Sequence, residues 1–334
     1  MVSALPCVRP PNSKRSVLEG DLPAWPIHGF PFISTSAPSM YNSSVSVVIA
    51  TTCEARRRQS LMNAVDSVLA QEGVSVKVIA VVNGDRVDED CLSELQNRPG
   101  VQVVREVLGS YPYALQIGRI NVDTPFFAFL DDDDEYLPSA IKNRLAPLLS
   151  DPSLTFVASN GWRRLGGMDQ AVVKNTGLAQ RSPLVALARE NWLASCGGMF
   201  RTSAVGSEYF DGRTAHLEWT FIAYKLALSH RSEFVDIPTF VINDSAGSLS
   251  KSDGYAEAEG EVLPKILALN LPKAVRRDVQ EKLGRCLHNI AARKSANGDW
   301  WHAWRLHVAS ILCRGGWRYL LYSRKLVLPM RRRV

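Results

Sequence analysis

The run Phe126-Phe127-Ala128-Phe129-Leu130 passes without a break into Asp131, Asp132, Asp133, Asp134 and Glu135. Five consecutive apolar residues suit a strand covered on both faces, as in a parallel sheet, rather than one with a wet side. In open α/β sheets ligands bind outside the carboxyl ends of such strands, and the aspartates are delivered to that edge together. An acidic run on its own is most simply a solvated loop. At a sheet edge, however, the mutual repulsion is best relieved by a bound cation. Clustered carboxylate oxygens suit Mg²⁺ or Mn²⁺ more than zinc, and an ion held by one or two carboxylates completes its shell with water and substrate phosphates. The implied ligand is a phosphate ester.

The neighbouring segments supply the rest of such a sheet. "VSVVIA" from Val45 reads as a buried parallel strand, and Leu61, Ala64, Val65, Val68 and Leu69 recur at helical spacing before Gly73. "VKVIAVVNGD" is a second strand ending in the Asn83-Gly84 turn, "CLSELQN" a helix, "VQVVRE" a third strand and "FFAFL" a fourth. Strands alternating with helices predict right-handed crossovers and a mostly parallel sheet flanked by helices. "SAIKNRLAPLLSD" reads as a helix, "LTFVASNGW" as a strand, "LEWTFIAYKLALS" as a helix and "EFVDIPTFVI" as a strand. Residues 160–215 read as loop-rich. Beyond Pro264 the pattern is helical, broken at Asn297-Gly298 and Gly315-Gly316. Three regions are therefore expected: an extended N-terminal segment over 1–44, rich in Pro and Ser; an α/β domain over 45–263; and a basic helical extension over 264–334.

Phosphate-binding glycine loops are absent, since neither G-x-x-x-x-G-K-[ST] nor G-x-G-x-x-G stands between the first strand and its helix. That excludes an ordinary P-loop nucleotidase and a dinucleotide dehydrogenase. The six cysteines lack C-x-x-C or zinc-finger spacing, which predicts reduced thiols. No apolar stretch reaches the eighteen residues of a membrane span, and no secretory leader is read at the N-terminus; a cytoplasmic protein is expected.

"VSVVIATTCEARRRQSLMNAVDSVLAQE", "VKVIAVVNGD", "FFAFLDDDDEYLP", "YFDGRTAHLEWTFIAYKLA" and "INDSAGSLSKS" together resemble the family-two, GT-A-type inverting glycosyltransferases over about residues 45–250. The resemblance implies a GT-A-like α/β fold and a nucleotide-sugar donor. It implies that Thr51 and Glu54 line the nucleotide pocket, that Asn83 and Asp85 meet the base, and that Asp131 and Asp132 approach the sugar nucleotide. Asp131 and Asp133 would hold Mg²⁺ or Mn²⁺, with Asp134 in support. The ion would offset charge on the departing diphosphate while a carboxylate takes the acceptor's proton. An ungapped comparison puts Glu218 on the family's Glu but Trp219 on the Asp usually given the base role. Glu218 is therefore the candidate base, against the simpler reading of a glutamate favoured by a helix dipole. Asp211 and His216 are fallbacks, and Asn243 stands near where some relatives place a histidine. Ser195 with Gly197 and Gly198 suits an acceptor pocket or equally a plain turn. Trp162 and Trp192 suit a core before they suit a sugar platform.

From residue 265 onward 16 Lys and Arg face 3 Asp and Glu, a balance of +13, whereas residues 1–264 carry 23 against 30, a balance of −7. The tail also holds four of the eight tryptophans. Trp300, Trp304, His307, Val308 and Ile311 are expected on one packed helix face, and the Arg/Trp mixture fits an anionic inner-leaflet membrane surface. Nucleic-acid binding, the other use of such charge, has no recognition fold beside it. The reading is a metal-dependent inverting transferase acting on a glycan or lipid-linked acceptor, in bacterial surface polysaccharide or lipopolysaccharide synthesis. The alternatives are a GT-A domain that binds nucleotide sugar or partner proteins without turnover, and a sugar-phosphate nucleotidyltransferase.

Overall fold

The computed structural model describes residues 43–331 apart from 212, 213, 215 and 244–252, with backbone alone at 253–256 and 328–331. Most of the expected 1–44 segment and the Ser-rich loop after Asn243 lie outside the described residues.

In chain order the strands are β1 Val45–Thr51, β2 Val76–Asn83, β3 Val101–Glu106, β4 Phe126–Asp131, β5 Glu135–Tyr136, β6 Phe156–Leu165, β7 Met168–Ala171, β8 Gly198–Arg201 and β9 Ser232–Asn243. The helices are α1 Arg58–Leu69, α2 Glu89–Gln96, α3 Tyr111–Ile120, α4 Ala140–Ser150, α5 Thr176–Arg181 and α6 Pro183–Arg189. They continue as α7 Glu218–Ser229, α8 Asp253–Leu267, α9 Lys273–Ala296, α10 Trp300–Leu312 and α11 Ser323–Arg331. One sheet runs β3-β2-β1-β4-β8-β6-β9-β5, with β7 beside β6. β1 to β4 are mutually parallel, β8 is antiparallel to both its neighbours, β6 and β9 are parallel, and β5 returns antiparallel along β9.

Both faces of the sheet are covered, as the unbroken apolar runs require. Val48, Ala50, Phe127 and Phe129 point into one core, Val47, Ile49, Ala128 and Leu130 into the other. In the first core Phe129 lies 4.8 Å from Phe210 and 5.2 Å from Trp219 between ring centroids. Burying each large side chain of this kind contributes about 1.5–3 kcal/mol. That core continues into Val262, Ile266, Val275, Val279 and Ile290, so the helices after β9 extend the α/β body. The boundary expected at 263/264 falls inside α8, which runs through Pro264. A proline there forfeits one helical hydrogen bond, and Ala268 N–H still reaches the Pro264 carbonyl at 3.0 Å.

The segment expected to be loop-rich contains β7, α5, α6 and β8. The helix α3, for which no spacing signal was read, crosses between β3 and β4. Its Gly118 lies so close to β1 that an added Cβ would stand 2.2 Å from Val48 Cγ1. In the tail, α10 buries Ala303, His307 and Ser310, while Val308, expected on the packed face, is exposed. Close approach to α9 selects these small and polar residues: a Cβ on Gly284 of α9 would come within 2.9 Å of Cys313 Cβ and 3.5 Å of the Ser310 carbonyl oxygen. The five described cysteines are free thiols, four of them buried.

Candidate active site

Parallel register brings three strand ends to one edge. Ala50 pairs with Asp131, and Thr51 with Val82, which places Thr51, Asn83 and Asp131 side by side at the carboxyl end of the sheet. Asn83 is buried and donates from Nδ2 to the Thr51 carbonyl at 3.0 Å, tying β2 to β1. Asp85, beyond the Gly84 turn, is exposed. Glu54 pairs with Arg56 at 2.7 Å and Arg86 at 3.4 Å, and the Arg56 hydrogen bond holds its carboxyl below the usual range.

Each of the four aspartates has its own surroundings. Asp131 accepts from the Tyr111 hydroxyl at 2.6 Å on Oδ1 and from the Ser195 hydroxyl at 2.5 Å on Oδ2. Burial pushes its carboxyl up to about 6, against the pull of these two donors. Asp132 accepts from Thr51 Oγ1 at 2.6 Å and from Arg57 Nε at 2.9 Å, and its other oxygen meets the same guanidinium. Asp133 Oδ2 lies 3.3 Å from Arg57, with its side chain partly open to solvent. Asp134 is buried, accepts from the Asn243 backbone N–H at 3.0 Å, and has its carboxyl raised well above the ordinary range by burial and by the charges of Asp131 and Asp133. Arg57 offsets part of the cluster's charge at Asp132 and Asp133, and burial favours the neutral acid at Asp131 and Asp134.

Two residues that sequence reasoning did not single out, Arg57 and Tyr111, hold this arrangement. Arg57 ends the 3-10 turn Ala55–Arg57 ahead of α1. Tyr111 opens α3, and the Ser110-Tyr111-Pro112 order carries a helix-start signal that was available in the sequence. Tyr111 also accepts from Trp219 Nε1 at 3.2 Å. Trp219, at the position of the expected aspartate, is therefore a buried prop for the Tyr111–Asp131 pair.

Glu218 occupies the first turn of α7 beside Pro112, Asp211, Thr214 and Phe210, in the same small pocket. Burial raises its carboxyl, partly countered by its own backbone N–H and by His216, and raised further by Asp131. Of the fallbacks, Asp211 lies 3.7 Å from Lys225, and the charge of His216 lowers the Glu218 carboxyl. Asn243 donates from Nδ2 to the Asp133 carbonyl at 2.9 Å and approaches Glu135 at 3.4 Å, so it braces the aspartate loop through backbone and side chain. Gly197 and Gly198 are buried, and a Cβ on them would meet Phe240 at 3.0 Å and Phe200 at 2.5 Å; packing accounts for both. Ser195 turns toward Asp131. Trp192 is core, stacked on Phe156 and bonded to the Pro183 carbonyl, and Trp162 is half-buried in β6.

Among the described residues no three His, Cys, Asp or Glu side chains converge as a metal cage. Asp131, Asp132 and Asp134 direct their oxygens to protein donors; Asp133 pairs with Arg57 and keeps its side chain partly open to solvent. That donor set fits an ion held by one protein carboxylate and completed by phosphate oxygens, the usual habit of Mg²⁺.

The family model described as Glycosyl transferase family 2 matches residues 46–210. No curated protein sequence matches the chain. Among solved structures, S. aureus TarS 1-349 in complex with UDP-GlcNAc superposes with a TM-score of 0.55 at 14% identity, over 77% of this chain and 75% of that one. The same TarS segment in a further crystal structure gives 0.52 at 16% identity, over 77% and 74%. At such identities the likeness is one of fold.

Proposed function

We propose that this chain, which matches the Glycosyl transferase family 2 model over residues 46–210, is a glycosyltransferase that moves a sugar, with inversion and with Mg²⁺ or Mn²⁺, from a nucleotide-sugar donor to a glycan or lipid-linked acceptor. The setting we assign is surface polysaccharide or lipopolysaccharide synthesis at the cytoplasmic face of a membrane. One observation carries the reading: Thr51, Asn83 and the Asp131–Asp134 cluster end on a single sheet edge, with Arg57 beside them and Glu218 in the adjoining pocket.

The chemistry assigns a task to each group. A leaving nucleoside diphosphate gathers negative charge, and a cation bound there counters it. When bound, a divalent ion on Asp133 supplies that Lewis acidity. Arg57 holds Asp132 and Asp133 apart from each other's repulsion. Tyr111 and Ser195 fix Asp131 with two hydrogen bonds, so the edge is set before the donor arrives. Glu218 takes the proton from the acceptor hydroxyl as it attacks the anomeric carbon opposite the leaving group. Direct displacement by one attack inverts that centre.

The test is nucleoside diphosphate release by the purified chain with UDP-, GDP- and dTDP-sugars, with and without Mn²⁺. Release from one donor class that requires the ion and is abolished by Asp133→Ala is expected. Release that persists without a divalent ion and in Asp133→Ala would overturn the metal-dependent reading.

A further inference from the structure

Helix α10 is built inside out. Its buried line is Ala303, His307 and Ser310, two of them polar, whereas Trp301, Arg305, Val308 and Leu312 form the outer stripe at spacings of four, three and four. Trp301 is 78% and Leu312 82% exposed. The display continues in the 3-10 turn Gly316–Tyr322, where Trp317 and Leu321 are 71% and 72% exposed and Leu320 lies open beside them. Isolated exposed apolar residues are ordinary, but here most of the large ones on the described surface fall between residues 301 and 327.

The charge around this face is mostly positive. No Asp or Glu follows Asp299 in the chain, while Arg305, Arg314, Arg318, Arg324 and Lys325 stand among the exposed apolar groups. Glu281 of α9 faces Arg314 at 3.5 Å and Arg318 at 3.8 Å, and Asp299 pairs with His302 at the start of α10; among the described residues no other acid pairs with this face. An identical face from a second copy would set these cations against their own kind. A nucleic acid would satisfy the cations but leave Leu312, Leu320 and Leu321 in water. An anionic lipid surface suits both kinds of group: basic side chains at the phosphates, tryptophans at the headgroup level, leucines at the acyl boundary. Among the described residues no helix is long and apolar enough to cross a membrane, so the contact is one of lying on the surface.

We propose that the outer face of α10 and of the turn after it seats this protein on membranes rich in anionic phospholipid. The proposal deepens the reading of a membrane-facing transferase by naming the surface that meets the lipid, and it stands on observations separate from the catalytic edge.

The test is flotation of the full chain with vesicles of phosphatidylcholine alone or with roughly one-third phosphatidylglycerol. Partition to the anionic vesicles at least about tenfold stronger, and weakened by added salt, is expected. Leu312→Ser with Leu321→Ser, and separately Arg305→Glu, should each lower that partition severalfold with an unchanged thermal melt. No partition to anionic vesicles, or equal partition to both kinds, overturns the proposal. A dimer in light scattering that Leu312→Ser converts to monomer, without vesicle binding by the parent, assigns the face to a second copy and overturns it too. Nucleoside diphosphate release in solution is read in parallel: its absence refutes the catalytic reading and leaves the surface standing, while loss of vesicle binding alone refutes only the surface.

Discussion

Glu218 stands in the first turn of α7 with its carboxyl raised above the ordinary 4.5 by burial. A base acts in its ionised form, so turnover should climb as pH rises through this raised value, and the acid limb should lie above that of a solvated glutamate. A pH–rate profile measures the limb. Glu218→Gln should lower kcat by about 10²–10⁴-fold and erase it. Arg57 makes a second prediction at the same scale. Arg57→Ala leaves Asp132 and Asp133 facing each other without their cation, which should cost about 1–3 kcal/mol of stability in denaturant melts and weaken donor binding. The place of Asp131 at a strand end and of Glu218 at a helix start was legible in the sequence, whereas Thr51 and the role given to Glu218 came from the family resemblance. Arg57 was not legible. It lies among three consecutive arginines, Arg56, Arg57 and Arg58, and only the fold distinguishes the one that turns toward Asp132 from the two that pair with Glu54 and Glu94.

Helix α3 connects the two sides of the site, since Tyr111 at its start holds Asp131 and Gly118 near its end lies on β1. Gly118→Ala would drive a methyl into Val48. Helices normally gain from Gly→Ala, by up to about 1 kcal/mol, but the overlap should reverse the sign and give a net loss of about 1–3 kcal/mol in thermal melts. A matching fall in activity is expected, because the shifted helix carries Tyr111. The strands β1 and β4 were readable from their unbroken apolar runs, the form that burial on both faces demands. Helix α3 was hidden, since its ten residues include a proline, a glycine and two tyrosines and its inward face is satisfied by close backbone approach. The same reason misplaced the packed side of α10: where helices touch closely, small residues go inside and apolar bulk need not.

At the scale of the molecule, one apolar core joins Phe129 and Trp219 of the α/β body to Val275 and Ile290 of α9. Residues 43–331 should therefore unfold together. Tryptophan fluorescence, weighted toward the tail, and far-ultraviolet dichroism should give coincident urea transitions. Two separated transitions would show that the tail is a domain of its own. The opposed charges of the two parts, −7 before residue 265 and +13 after it, were plain in the sequence; their continuity of packing was not, because Pro264 looks like a border until α8 is seen to pass through it.

Strand β9 lies far along the chain, yet its last residue, Asn243, donates to Asp134 and to the Asp133 carbonyl across a separation of about 110 positions. During synthesis the aspartate loop leaves the ribosome long before that latch does. A nascent chain halted short of Asn243 has its acidic loop without the donor that seats Asp134.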